Sequence, residues 1–269
     1  MPHDIERSMN PVLLIRKEFA SKYELQHAEK YFPVEESRTK CAGSLVIGRY
    51  SVVPFYDELE RDLACIGSQI INSFEQHQWI ATFAYYKELK EYTPETWDET
   101  NFATCPHPGP FVVKGKMSSK KRRWKTHMFA QTKRDALRLG ERLLEDTNID
   151  DQGIVYRKFV PLRTLEMGPN ELRYTNEWRF YYYQQQRLSC GYYWSMSDCA
   201  DKAELKPEAL TLADQIAKIA SRHTNFFALD LAETEGGNWI LIELNDGQSA
   251  GPCDNDLDEL YGNLRSALR

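Results

Sequence analysis

The sequence lacks several short motifs that mark common nucleotide- and metal-dependent enzymes. It contains no phosphate loop of the GxxxxGKS type and no GxGxxG dinucleotide-binding fingerprint. Its six histidines show neither HxxxH nor HxH spacing, so the pattern does not favour a zinc site. These absences argue against P-loop kinases, Rossmann-type oxidoreductases and zinc enzymes as the class of this protein.

Cysteines and long apolar runs are also scarce. The six cysteines are scattered without a CxxC pair, in a chain too large and too poor in cysteine for a disulfide scaffold. No apolar stretch is long enough to span a bilayer, and the N-terminus has two acids and no apolar signal core. We therefore expect reduced thiols, no membrane partner and a cytoplasmic location.

The sequence does contain enough apolar material for a substantial core, together with a small excess of acid. Hydrophobic residues make up 42% of the chain, and the formal net charge is -6. The hydrophobic content predicts one extended folded unit or two closely associated domains. The acidic balance argues against a protein that coats nucleic acid, although a local basic stretch can still bind phosphate.

Apolar patterning predicts an α/β layer in the first hundred residues. The expected elements alternate in type: strand 11–15, strand 44–53, helix 55–66, strand 70–71 and helix 75–91. A proline-rich segment from Thr93 to Pro110 follows, and we place the predicted domains at residues 1–100 and 101–269. Beyond it the pattern predicts a helix over 132–145, a small antiparallel sheet, and a helix that begins at Pro207 and leads into two final strands.

A strand-like segment with two lysines leads into a basic loop. Lys114 and Lys116 would share one face of a regular strand, and seven of the twelve residues from Lys114 to Lys125 are basic. Ammonium groups and hydroxyls in this arrangement can clamp a polyphosphate. Contact of Lys120–Lys125 with an RNA backbone stays open, and so does a solvated loop, because charge runs usually lie at the surface.

Two further segments place cations beside apolar residues. One is a run of four residues that can line an adenine pocket: Arg157, Lys158, Phe159 and Val160. In the other, Glu177 and Arg179 share a strand face. The arginine can donate two hydrogen bonds to a phosphate or acyl-phosphate, and the glutamate can orient it or bind a ribose hydroxyl. A structural ion pair across strands is the alternative for both acid and base.

Three oxygen donors lie in the last two predicted strands. Asp230, Glu243 and Asn245 are each bracketed by apolar residues, so neighbouring strands can present them from one face. An acid inside an apolar strand needs a cation or a basic partner. Oxygen donors grouped in this way suit magnesium, which in turn suits a nucleotide phosphate, whereas a structural ion pair is the alternative.

Taken in the order in which they occur along the chain, these motifs resemble those of the ATP-grasp superfamily and, within it, those of the subgroup named for one arginine and two lysines. The resemblance runs from about Pro110 to Gly251. The first hundred residues are similar to the α/β layer that precedes the ATP-binding part in ligases of the tubulin-tyrosine and ribosomal-protein-glutamate type. One departure is the loop after Lys116, which is Ser-Ser and basic where many members have a glycine-rich loop.

The resemblance implies an α+β and α/β protein with the ATP-grasp fold, in which the nucleotide lies between two α+β lobes. It assigns catalysis to Arg179 and Lys116 and magnesium to Asp230, Glu243 and Asn245. It assigns ATP binding to a set of residues that includes Lys116 a second time: Lys114, Lys116, Arg157, Lys158, Phe159, Val160 and Glu177.

Enzymes of this kind activate a carboxylate as an acyl-phosphate and let an amine displace the phosphate. The resemblance therefore implies an ATP- and magnesium-dependent carboxylate–amine ligase that acts on an amino acid, peptide or protein. Two other functions remain open. One is an ATP-binding assembly factor without turnover, similar to the cell-division-cycle protein that helps to assemble a translation initiation factor. The other is an ATP-dependent RNA ligase or RNA-binding enzyme, which the basic stretch Lys120–Lys125 favours.

Overall fold

The structure, a computed structural model, describes residues 9–16, 21–50, 52, 55–146, 149 and 153–269. Within these ranges the chain has a mixed α+β fold with three four-stranded sheets and one two-stranded sheet. The predicted fold class is confirmed. None of the helices in these ranges has the length and apolarity that crossing a membrane requires.

The N-terminal part forms a parallel sheet with the strand order β2-β1-β3-β4. Its elements are β1 Asn10–Leu14, α1 Lys22–Ala28, β2 Val34–Glu35, β3 Ser44–Gly48, α2 Tyr56–Cys65, β4 Gln69–Ile70, α3 Phe74–Ala81 and α4 Tyr86–Leu89. The apolar strands are buried on both faces, as parallel strands require. Leu14 and Val46 pack towards Leu59 and Leu63 of α2, whereas Leu13 faces the C-terminal part of the chain.

The predicted helix over 75–91 is wrong, because the structure has two helices there. Thr82 ends α3, and Phe83 adopts a left-handed conformation with φ of 67°. This conformation brings the Phe83 ring to 4.4 Å from the buried Tyr85 ring, centroid to centroid. Aromatic packing in the core therefore outweighs the helical pattern at this point. Strand β3 ends at Gly48, and the predicted stop at Pro54 lies outside the described residues.

The next segment forms an antiparallel sheet with the strand order β5-β8-β6-β7. Its elements are β5 Thr96–Asp98, β6 Phe111–Gly115, α5 Trp124–His127, β7 Phe129–Ala130, α6 Lys133–Leu144 and β8 Ile154–Lys158. The side chain of Thr132 caps α6 as predicted. Gly140 lets α6 approach β8 closely, since a Cβ there would lie 2.1 Å from the Tyr156 hydroxyl. The chain enters this sheet at Thr96, and the boundary between domains 1–100 and 101–269 stays a prediction.

The C-terminal part contains a two-stranded sheet and an antiparallel sheet with the strand order β12-β11-β13-β14. Its elements are β9 Thr164–Met167, β10 Arg173–Thr175, β11 Glu177–Tyr183, β12 Gln186–Tyr192, α7 Pro207–Ala220, β13 Phe226–Glu233, β14 Trp239–Asp246 and α8 Leu257–Ala267. Helix α7 covers one face of the larger sheet, and α8 packs with residues of the opposite face and of the N-terminal sheet. Register aligns Arg179 with Asp230 and Asp230 with Glu243, so all three lie side by side on the sheet.

A buried carboxylate at the end of β13 connects three segments. Glu233 is 2% exposed and accepts hydrogen bonds from Arg163 and Asn176, both at 2.8 Å, and from Lys206. Burial by itself would raise the pKa of Glu233, but these three donors lower the pKa to about 2.

We expect Glu233 to make the stability of the protein fall as the pH drops from about 5 to 2. The folded-state pKa lies below the ordinary value of 4.5, so the unfolded chain takes up the proton first. The contribution of Glu233 to stability is therefore complete at a pH above the ordinary pKa of 4.5 and is lost as the pH falls towards the folded-state pKa of about 2. Urea unfolding at a series of pH values gives the free energy of unfolding as a function of pH. We expect this free energy to change with a shallower slope in the Glu233→Gln variant than in the exposed control Glu235→Gln. Equal slopes for the two variants would contradict this assignment.

Candidate active site

An open cleft, with about 880 Å³ of space including that open to solvent, lies between the sheet β5-β8-β6-β7 and the sheet β12-β11-β13-β14. Strands β6 and β8 form one wall, and β11 and β14 form the other. Much of the lining is apolar: Val112, Met128, Phe159, Val160, Ile240 and Ile242. Charged side chains lie together on the same lining: Lys114, Lys121, Arg157, Glu177 and Glu243. The cleft therefore offers an apolar surface together with a buried charged one.

Lys114 and Glu243 connect the two walls. The Lys114 ammonium donates to Oε2 of Glu243, and both residues are buried. Burial lowers the pKa of Lys114, and the carboxylate partly opposes that effect. A buried pair of this kind places a cation from β6 directly over β14.

Arg179 and Asp230 form a second buried pair beside the first. Nε and Nη2 of Arg179 donate to the two oxygens of Asp230, each at 2.7 Å, and Nη1 donates to the carbonyl of Gly251 at 2.8 Å. Nη2 also lies 3.9 Å from Oε1 of Glu243. These contacts bring Arg179, Asp230 and Glu243 together, and the roles predicted for them in catalysis and magnesium binding stay predictions.

The two neighbouring carboxylates differ in acidity. Burial raises the pKa of Asp230 to about 6, against the opposing effect of Arg179. Burial also acts on Glu243, but Lys114 and Lys121 lower the pKa of Glu243 below its ordinary value. Glu243 is therefore the carboxylate that keeps its negative charge to lower pH.

Lys121 lines the cleft, a position that the sequence pattern does not predict for this residue. Its ammonium lies 3.1 Å from Oε1 of Glu177, 3.7 Å from the centroid of the Tyr193 ring and 5.0 Å from that of Trp194. Burial lowers the pKa of Lys121, but Glu177 and Tyr193 outweigh it, so the pKa is raised. Its position in a basic run was the only sequence signal, and that run did not distinguish it from its neighbours.

Lys116 does not line the cleft. Strand β6 ends at Gly115, so the alternation that would place Lys116 beside Lys114 does not continue. Instead, its ammonium lies close to Gly153, as does a carboxylate oxygen of Glu99. Each of these atoms is 3.0 Å from the position that a Cβ would take at Gly153. The roles predicted for Lys116 in catalysis and ATP binding stay predictions, without support from its position.

Residues of the Arg157–Val160 segment do line the cleft. The Arg157 guanidinium donates to Thr93, Thr96 and the carbonyl of Ile242, so it joins β8 to β14. Lys158 is exposed at the rim, where its ammonium lies 3.8 Å from a Glu95 oxygen. Phe159 packs edge-on against Phe129 at a centroid distance of 5.2 Å. The predicted roles of these residues in ATP binding stay predictions.

Asn245 lies two residues after Glu243 on β14 and is half-buried. Its Nδ2 atom is buried and has no hydrogen-bond partner among the described residues. In the part of the chain that the structure describes, no group of three or more His, Cys, Asp or Glu side chains is placed to hold a metal ion. The predicted set contains two carboxylates and one amide, and its role in metal binding stays a prediction.

A buried polar network fixes the turn that follows these donors. Asp246 accepts from Asn72 at 3.0 Å and from the backbone N–H of Gln248 at 2.9 Å, and its other oxygen lies 2.9 Å from Nδ1 of His77. The His77 ring stacks on Tyr56 at 4.1 Å. Sequence reasoning missed Asn72 and His77, because they precede Asp246 by more than 160 residues and no local pattern connects them.

The turn Gly247–Gly251 also has the GxSxG spacing that marks nucleophilic serines in many hydrolases. That motif requires a helix directly after the serine, but α8 begins only at Leu257. Ser249 is exposed, and its hydroxyl donates to the carbonyl of Asp246 at 3.4 Å. None of the hydrogen bonds among the described residues joins it to a histidine, so the spacing is not accompanied by a catalytic base.

The fold and the paired charges define a protein of the ATP-grasp class. The family model for the ATP-grasp domain, family 3 of the clade named for one arginine and two lysines, matches residues 101–264, so the chain belongs to this family. The family predicted from the sequence motifs is therefore confirmed. No curated protein matches the chain.

Solved structures are similar over nearly the whole chain. A RimK domain ATP-grasp protein from Sphaerobacter thermophilus is 14% identical, with a TM-score of 0.60 and coverage of 96% of this chain and 99% of that chain. D-alanine–D-alanine ligase from Bacillus anthracis complexed with ATP is 11% identical, with a TM-score of 0.58 and coverage of 97% and 96%. PsnB, an ATP-grasp ligase complexed with a phosphomimetic variant of a minimal precursor, Mg and ADP, is 11% identical, with a TM-score of 0.56 and coverage of 100% of both chains. At these identities the similarity shows the fold.

Proposed function

We propose that the protein is an ATP- and magnesium-dependent ligase that activates a carboxylate as an acyl-phosphate and joins it to an amine of an amino acid, peptide or protein. Three buried cations, each paired with a carboxylate, lie together beside an apolar cleft, and this observation carries the proposal: Lys114 with Glu243, Lys121 with Glu177 and Arg179 with Asp230. An apolar surface suits a purine base, and buried cations suit its phosphates.

The cations have separate positions from which to act on a triphosphate. Lys114 reaches into the cleft from β6 and Lys121 reaches in from the segment that follows β6, so both ammonium groups would face the phosphates of a nucleotide bound there. Arg179 lies on β11 with Nη2 3.9 Å from Oε1 of Glu243, which does line the cleft, and it can donate to the phosphoryl group that is transferred. Neutralising and positioning these oxygens supplies most of the catalysis in phosphoryl transfer, and no serine or cysteine nucleophile is needed.

The residues present fit a magnesium ion. Asp230, Glu243 and Asn245 offer oxygen donors, which is the donor type that magnesium prefers. Arg179 and Lys114 hold Asp230 and Glu243, so a magnesium ion would have to share these carboxylates with the two cations or take their place. When bound, the ion would neutralise phosphate oxygens.

The class of the substrate is inferred from similar proteins. PsnB was solved with a precursor peptide and AMPPNP, and the Bacillus anthracis enzyme was solved with ATP and joins two D-alanines, as its name states. Both support an amino acid or a peptide as the substrate of this chain. The geometry of the basic loop gives less support to RNA. Lys121 points into the cleft, and Lys120 and Lys125 pair with Asp146 and Glu171 at 2.6 and 2.5 Å.

Product analysis tests this proposal. We expect ADP and phosphate to be released when the protein is incubated with ATP, magnesium and a small-molecule and peptide extract from a lysate. A product of increased mass should appear in the same sample by mass spectrometry. Release of AMP would instead indicate a nucleotidyl-transfer route, as in RNA ligases. ATP binding without turnover on any fraction would favour the assembly factor.

A further inference from the structure

One aromatic ring, that of Tyr193, lies beside two cations of the charged cluster. The Lys121 ammonium is 3.7 Å from the centroid of this ring, and the guanidinium carbon of Arg179 is 5.1 Å from the same centroid. A cation at such a distance over the face of an aromatic ring is attracted by the quadrupole of the ring. Lys121 follows β6 and Arg179 lies on β11, so a single ring contacts cations from two separate segments of the chain.

The Tyr193 ring is held in place by its backbone and by its neighbour in the chain. Tyr193 follows β12, and its backbone N–H donates to the carbonyl of Glu177 on β11 at 2.9 Å. The Trp194 ring packs edge-on against the Tyr193 ring at a centroid distance of 5.1 Å, and Nε1 of Trp194 donates to the Thr175 hydroxyl at 3.2 Å. These contacts fix the ring relative to the strand that carries Arg179.

The ring is uncharged near neutral pH. Burial raises the pKa of the Tyr193 hydroxyl above its ordinary value, and Lys121 only partly opposes this shift. The attraction between the ring and the two cations therefore comes from the ring face and not from a phenolate. Phenylalanine offers the same kind of face, whereas an aliphatic side chain does not.

An aromatic ring can position a cation without occupying the N–H donors that a phosphate needs. Carboxylates hold the same two cations at the cost of such donors. Glu177 accepts from the Lys121 ammonium at 3.1 Å. Two of the five N–H donors of Arg179 go to Asp230, and a third goes to the carbonyl of Gly251. The ring attracts both cations and takes up no further donor in a conventional hydrogen bond.

We propose that Tyr193 is a positioning residue, which holds Lys121 and Arg179 at the spacing from which both donate to the phosphates of the bound nucleotide. The inference rests on the function proposed above, because that function places a nucleotide in the cleft. Tyr193 acts through the two cations, so its contribution concerns the phosphate groups of the ligand and not the base.

Nucleotide binding tests the role of Tyr193 without any turnover. Calorimetry in the presence of magnesium gives the affinities for AMP and for AMPPNP, a triphosphate analogue. In Tyr193→Leu we expect the preference for AMPPNP over AMP to fall about tenfold, because leucine lacks the ring face. Tyr193→Phe keeps that face, and its preference should stay within about twofold of the wild-type value. A general loss of structure would weaken both ligands alike, so an unchanged preference in Tyr193→Leu would overturn the inference.

Tyr183→Leu is the matched control. Tyr183 is half-buried like Tyr193, but it ends β11 and packs against an apolar cluster that includes Leu188 and Phe226. This variant should keep the preference of the wild type, and urea unfolding shows whether each variant is folded.

A double variant tests whether Tyr193 acts through Lys121. In a Lys121→Met background, Tyr193→Leu should reduce the preference for AMPPNP by a smaller factor than it does alone, because part of its effect has already been removed. Two losses that multiply in the double variant would overturn the part of the inference that concerns Lys121.

Parallel measurements of ADP release separate the failure of this inference from that of the ligase function. A preference for AMPPNP that depends on Tyr193, without ADP release on any acceptor, would keep the inference and remove the ligase function. ADP release with a kcat and an AMPPNP preference that are unchanged in Tyr193→Leu would keep the ligase function and overturn the inference. A wild-type protein that binds neither nucleotide would overturn both.

Discussion

Replacing Glu243 with glutamine is expected to reduce ATP turnover by about a hundredfold or more while the protein stays folded. Glutamine has nearly the same shape and can still accept a hydrogen bond from Lys114, so the cleft keeps its packing. It removes the carboxylate whose pKa is held low by Lys114 and Lys121 and which is the strongest candidate ligand for magnesium. The loss should be larger for the magnesium-dependent step than for nucleotide binding.

Steady-state ADP release against magnesium concentration measures this effect. Glu235→Gln is the matched control, since it makes the same substitution at an exposed glutamate in the turn between β13 and β14. Urea unfolding of both variants shows whether the fold is retained. A Glu243→Gln variant with the magnesium response and turnover of the wild type would remove this residue from the site.

Arg179→Lys is expected to lower kcat by about a hundredfold or more, because a lysine keeps the charge but cannot reproduce the two parallel bonds of the guanidinium. Arg179→Ala should lower the free energy of unfolding by about 3–5 kcal/mol as well, since it leaves the fully buried Asp230 carboxylate without its cation. The kcat of Arg179→Lys measures what the guanidinium contributes to catalysis. The free energy of unfolding of Arg179→Ala measures the cost of leaving Asp230 without its partner.

Arg163 supplies the matched control for both substitutions. It donates to the buried carboxylate of Glu233 at 2.8 Å, and its ion-pair partners among the described residues are Glu233 and Glu204 rather than Asp230 and Glu243. Arg163→Lys and Arg163→Ala should therefore affect stability and leave kcat unchanged. The double variant Arg179→Met with Asp230→Leu replaces the buried pair with apolar side chains and should recover stability without activity. Activity in the folded double variant would show that Arg179 has only a structural role.

The central part of the site could be predicted because it follows from strand periodicity. Asp230 and Glu243 interrupt two apolar strands, and adjacent strands in a sheet bring such residues together. The resemblance assigns Arg179 to the same site, and the register of β11 and β13 places it beside Asp230. The alternation failed for Lys116, because β6 ends one residue earlier and the backbone then changes direction relative to the sheet.

The remaining features depend on contacts that no local pattern contains. Lys121 reaches Glu177 from a short 3₁₀ helix, Lys121–Arg123, and the next residue, Trp124, packs against the rings of Phe129 and Phe159. The break at Phe83 reflects packing in the core, and helical periodicity does not include such contacts. Long-range partners of this type become visible only when the whole fold is assembled.

The network around Asp246 has a mechanical consequence. It bonds β14 to the N-terminal layer through Asn72 and His77, whereas the second sheet reaches β14 through the side chains of Lys114 and Arg157. We therefore expect the sheet β5-β8-β6-β7 to be the part that moves when ATP enters, while β14 and the N-terminal layer form a fixed frame. A substrate bound to that frame would keep its distance from the predicted magnesium ligands while the protein opens and closes.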